Sequence, residues 1–285
     1  MFVGFRESCV ADRSDESELL VPASGFNVRD YARTAVGSHR SEIDAAAFET
    51  RRLKPETLRV LRYLIDIEQA TMSHLRQVLV TATHKDARVT AFLGTWAFEK
   101  FWIADAFTRI LELHGEEYAS PTEHKRNIFA RIGIRLGPIT ESFAANRAGE
   151  DMIAVHMAMG AIDEWVTQAA FTRAIELDDH SELVKMVTTT RTVAERQLSF
   201  FEAQAHDRLE RSEGARTLTR KRMAAASWPI GAEAQPKADT AFFFHYLFDG
   251  APELANDIDT KVAALPGLDG ISPLRGIVPG MRGTR

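Results

Sequence analysis

Four stretches of this chain repeat apolar residues every three or four positions for more than 25 residues each, and every one of them also carries a glutamate on the apolar stripe. That combination limits the fold more than any other feature. Long amphipathic helices must bury their stripes against one another, and a carboxylate buried with them needs a positive partner. The first predicted helix covers about 55–80, with Leu58, Leu61, Ile65, Met72, Leu75 and Leu79 inward and Glu68 among them. The second covers about 86–114 and stops at Gly115, with Val89, Phe92, Trp96, Ile103, Ala106 and Ile110 inward, Glu99 in phase and Lys100 at the edge. The third covers about 150–177, with Ile153, Met157, Ala161, Phe171 and Ile175 beside Glu164. The fourth covers about 181–211, with Val184, Leu198, Ala205 and Leu209 beside Glu195 and Glu202.

Between the second and third helices, Ser120, Pro121 and Glu123 form a capping-box start for a shorter helix, which the Gly137-Pro138 pair ends. No strand-like alternation is long enough to compete. The expected fold is all-α: a four-helix bundle with a long connection between helices two and three and a C-terminal helical or irregular extension. Residues 1–40 read as a flexible tail leading into a docking segment, 41–225 as the bundle, and 226–285 as an extension packed on it.

The carboxylates show internal order. Glu68 and Glu99 are 31 positions apart, as are Glu164 and Glu195, and "EQAT" at 68–71 matches "EWVT" at 164–167, the pattern of a duplicated helix hairpin. "WAFEKFWIAD" (96–105), "AERQL" (194–198), "IEQATM" (67–72) and "IDEWVT" (162–167) together resemble the ligand helices of the ferritin-like di-iron carboxylate superfamily, most closely its soluble acyl-carrier-protein desaturases. The resemblance spans roughly 55–210. It implies a ferritin-like bundle, a homodimer, and iron held by one glutamate from each of two helices plus Glu-x-x-His from the other two. On that register Glu68, Glu164 and Glu195 are remnant metal ligands, with Glu99 a further candidate, while Lys100, Ile103 and Leu198 stand where a glutamate and two histidines are expected. None of the nine histidines lies three residues after a glutamate, so the chain holds no Glu-x-x-His.

Two readings of Lys100 stay open: an ammonium neutralising the carboxylates in place of metal, or a side chain snorkelling to solvent. The expected function is accordingly a desaturase-like protein without the standard di-iron site, acting as a non-catalytic acyl-binding, scaffold or partner protein with no resident cofactor. The alternative is an oxygen-dependent oxidoreductase whose atypical carboxylates hold iron. A site moved along the fourth helix, from Glu202, His206 and His156, competes with a plain polar helix end, which is the favoured reading.

Composition narrows the partners. A net charge of −5 argues against a chain-wide nucleic-acid role. The basic run Arg208–Arg222 offers a docking point for an acidic carrier protein, or a solvated helix end. The single cysteine, Cys9, excludes an internal disulfide framework and suits the cytoplasm. "AFFFHYLF" (241–248) is too short to span a bilayer and reads as a segment packed on the core.

Overall fold

A computed structural model describes residues 25–118, 149–275 and 277. Two short helices, α1 (Val28–Arg33) and α2 (Ala45–Thr50), lead into α3 (Pro55–Leu79) and α4 (Ala87–Leu113). Then come α5 (Asp151–Leu177), α6 (Ser181–Arg211), α7 (Glu213–Ala225), α8 (Lys237–Phe248) and α9 (Pro252–Ala264). Among the described residues there is no strand, so the chain is all-α as its periodicity predicts. No helix there is long and apolar enough to cross a membrane.

Local chemistry sets the helix limits. Pro55 opens α3, where its missing N–H is no loss. Asp86 caps α4 by accepting from Val89 N at 2.9 Å, and Ser212 caps α7 by accepting from Ala215 N at 3.1 Å. Asp86 also pairs with Arg208 near the end of α6, so one carboxylate both starts a helix and ties it to another.

The pairs α3–α4 and α5–α6 pack most extensively, each as an antiparallel hairpin. End contacts fix their relative direction. Leu53 N, just before α3, donates to His114 Nε2 after α4 (3.0 Å), and Lys54 N donates to Asp178 Oδ2 after α5 (2.8 Å). At the opposite end Ser212, after α6, donates to Asp151 at the start of α5 (2.6 Å). Helices α4 and α5 therefore run the same way, and the chain between them must return along a helix length of about 40 Å. It begins to do so at once: Glu116 and Tyr118 bond to Arg62 and Asp66 on α3. The capping box at Ser120–Glu123 and the Gly-Pro break lie outside the described residues, as does Cys9.

Helix α5 is buried on most of its circumference, packed against α3, α6, α7, α8 and α9. Its small residues allow this. At Gly160 an added Cβ would fall 2.3 Å from the Phe201 ring of α6, so the glycine sets how closely those helices approach. The C-terminal extension covers the other faces: Phe243 of α8 stacks on Tyr63 at 4.5 Å, and "AFFFHYLF" packs on the core.

Part of the polar stretch that the sequence assigns to a tail is ordered against the bundle. Residues 25–44 form a strap across α4 and α6. Tyr31 is buried, Arg40 pairs with Asp105 (2.9 Å) and Glu112 (3.0 Å), and Asp44 N donates to Glu182 (3.0 Å). Its anchors are individual contacts, polar ones and the packing of Phe26 and Tyr31 on Phe92, which leave no periodic trace.

Candidate functional site: a lysine among interior carboxylates

Halfway along the bundle a charged side chain from each of α3, α4 and α5 meets in the core. Lys100 of α4 is 1% exposed, and its Nζ lies 3.2 Å from Glu68 Oε1 on α3 and 2.9 to 3.0 Å from the two oxygens of Glu164 on α5. Glu164 also accepts from Trp96 Nε1 at 2.8 Å, so a residue one turn before the lysine orients the carboxylate that the lysine bridges. Of the two readings of Lys100, the structure has the interior one.

A third carboxylate joins them. Asp163 is buried beside Glu164 and accepts from Ile230 N at 2.7 Å, a contact made by the segment after α7. Gly231 permits it: its φ is +94°, and an added Cβ would lie 2.8 Å from Ala70 on α3. Two buried carboxylates thus contact the Lys100 ammonium, and a third lies near enough to act on it electrostatically. Burial pushes Glu68 and Asp163 each up to about 7, against the pull of Lys100. Burial alone would lower the lysine, but Glu164 and Glu68 outweigh it and hold the ammonium above its ordinary range. The second oxygen of Glu68, Oε2, is buried with no hydrogen-bond partner.

Glu99 is interior but belongs to a different cluster. It accepts from Tyr31 Oη (2.5 Å), Val36 N (3.0 Å), Arg196 (2.7 Å) and Gln197 (2.9 Å), and so joins the strap to α4 and α6. With its oxygens taken by four donors, it is a structural anchor.

Glu195 does not join either cluster. It is exposed, with Arg191 at 3.9 Å. The cause is helix phase: the buried stripe of α6 runs through Leu183, Val187, Thr190, Ala194, Gln197, Phe201 and Ala205. Val184 and Leu198, expected on that stripe from the sequence, are half-buried at its edge, and Glu195 is turned outward beyond them. Gln197, the buried polar residue of that helix, faces Glu99. Ile103 is fully buried and Leu198 packs from the side, so hydrocarbon occupies both positions where the resemblance expects imidazoles.

The moved site is not assembled. Glu202 accepts from Trp165 Nε1 (2.8 Å), His206 is exposed near Glu210, and His156 bonds to Thr83 Oγ1 (2.8 Å). Among the described residues no group of three or more His, Cys, Asp or Glu is placed to hold a metal ion. Most of the basic run is engaged within the molecule: Arg208 with Asp86, Arg211 with Asp207, Arg216 with the carbonyls of Leu209 and Glu210, and Arg220 with those of Gly267 and Asp269. Lys221 and Arg222 are left.

Sequence reasoning missed Asp163 and the strap. Asp163 precedes Glu164 and so points to a different helix face, and only the close approach of Ile230 explains its burial. No protein-family model, curated protein or solved structure matches this chain.

Proposed function

We propose that this chain is a ferritin-like, desaturase-like bundle in which an internal salt bridge takes the place of the di-iron centre, and that it acts as a non-catalytic binding, scaffold or partner protein. The observation that carries this reading is the placement of Lys100 Nζ within 2.9–3.2 Å of carboxylates from two facing helices. A metal bridging Glu68 and Glu164 would meet that ammonium at the same point. Helix order supports it too: an antiparallel hairpin, a return along the bundle, then a second antiparallel hairpin is the ferritin-like arrangement.

The residues present do not fit a di-iron group. Such a centre takes four carboxylates and two imidazoles, whereas this cluster holds Glu68, Asp163 and Glu164 with a lysine and no histidine, and Glu195 lies at the surface. Lys100 already supplies the positive charge that buried carboxylates require. Exposed Phe98 and Phe101 on α4 and Met72 on α3 suit a partner-binding role better than an isolated one.

The test is metal content after anaerobic loading with Fe(II), desalting and elemental analysis. Near-zero iron in a fully helical protein is the expected result. About two irons per chain, abolished by Glu68→Ala, would overturn the proposal and restore the reading of an oxygen-dependent oxidoreductase with atypical carboxylate ligands.

A further inference from the structure

A cavity of about 240 Å³ opens at the end of the bundle where α3 finishes and α5 begins. Its apolar lining comes from Val78, Met152, Val155 and Met159. Among these apolar side chains His74 lies one turn from Val78 on α3 and His156 one turn from Met152 on α5, and Arg222 of α7 completes the polar lining. A second hollow beside Phe242 and Tyr246 is larger, at about 430 Å³, but its cations are engaged: Lys54 bonds to Leu177 O, and Arg173 to Glu176 and Asp249 O.

The cation of the first cavity has no such occupation. Arg222 makes no ion pair or hydrogen bond among the described residues, nor does His74 make a hydrogen bond. His156 is held at Nδ1 by Thr83 Oγ1 (2.8 Å), which leaves Nε2 as its remaining polar atom. Burial keeps both imidazoles neutral, His74 down to about 4 and His156 to about 3, the latter lowered further by His74 and Arg222. Each can therefore donate or accept one hydrogen bond, and the formal positive charge of the lining is that of Arg222. Glu233 lies at the exposed rim, where solvent screens it.

We propose that this cavity binds a small organic carboxylate, with the carboxylate paired to the Arg222 guanidinium and its short apolar body lying against Met152, Val155 and Met159. A guanidinium matches a carboxylate in planar, two-pronged geometry, and a mostly apolar pocket with a few placed polar groups is the usual small-ligand site. Size sets the class. The cavity, at about 240 Å³, has room for an acid of the size of hexanoate or benzoate. The inference is independent of the lysine cluster: iron uptake or its absence leaves it standing.

The test is a ligand-observed NMR titration of the full chain with hexanoate and benzoate, against hexanamide, benzamide and hexylamine. The carboxylates are expected to bind with a Kd on the order of 0.1–1 mM, about tenfold tighter than the neutral amides, and the amine not at all. Arg222→Leu, a half-buried position, should remove the preference for carboxylate while leaving the fold intact. Val155→Trp should fill the cavity and abolish binding of both classes. Equal binding of acids and amides, no binding of either, or binding unchanged in Arg222→Leu would overturn the proposal.

Discussion

Replacing Lys100 by methionine removes the one ammonium from a cluster of three buried carboxylates, and the cost should depend on pH. Its Nζ lies 2.9–3.2 Å from oxygens of Glu164 and Glu68. At an effective dielectric of about 20 each contact is worth roughly 5 kcal/mol of gross attraction. Much of this is offset because the ammonium no longer has to be desolvated, so the net loss on breaking a buried pair is about 3–5 kcal/mol. That loss applies where the carboxylates are ionised. Glu68 and Asp163, raised to about 7, take up protons as the pH falls, leaving less negative charge for the lysine to neutralise. The expected destabilisation of Lys100→Met is about 3–5 kcal/mol near pH 8, shrinking to about 2 kcal/mol or less near pH 5. Urea unfolding followed by far-UV circular dichroism at the two pH values measures it. The triple variant Lys100→Met, Glu68→Gln, Glu164→Gln should regain most of the loss, since a neutral replacement of a buried ion pair is often tolerated. A Lys100→Met protein within about 0.5 kcal/mol of the parent near pH 8, or a gap that widens toward pH 5, would refute the reasoning.

The parent protein should itself lose stability as the pH rises from about 5 to 8. Glu68 and Asp163 keep protons in the folded state to about 7, above their ordinary 4.5 and 3.8, so their contribution is complete below those lower values and lost as the pH passes the higher ones; Glu68→Gln should flatten that fall in the urea midpoint. Gly160→Ala drives a Cβ to 2.3 Å from Phe201 and should cost about 1–3 kcal/mol by overpacking, read as a lower Tm and partly relieved by Phe201→Leu. Glu99→Gln turns an amide toward groups that all donate to the carboxylate, so hydrogen exchange should speed up across residues 25–43 while the centres of α5 and α6 stay protected.

The helices were legible because their signals are local. The expected spans of α3 to α6 agree with the observed ones to within a residue or so, and the stripe of α4 is buried at all six positions named from the sequence. Lys100 could be placed beside the carboxylates but not inside or outside the core, since a residue at a stripe's edge is decided by what packs over it. Glu195 shows the limit of periodicity. A one-position error turns a helix by about 100°, and on α6 the adjacent large rings Phe200 and Phe201, rather than Val184 and Leu198, set which side faces in. Asp163, Ile230 and Tyr31 depend on contacts 67 or 68 residues apart in the chain, formed by segments without period. Such pairings appear only when the helices are assembled.

The strap has a consequence for the order in which the molecule can form. Its attachment points come from both halves of the chain: Tyr31 and Arg40 hold α4, while Thr34 receives Arg196 and Asp44 reaches Glu182, partners separated by 162 and 138 residues. Neither hairpin alone offers the complete binding surface, so a segment synthesised before both hairpins is among the last to settle. Until then its backbone is open to a protease, and after it the cut is blocked. Resistance of residues 25–44 to cleavage is thus a clock for the meeting of the two hairpins, readable in a refolding reaction with no label added to the chain.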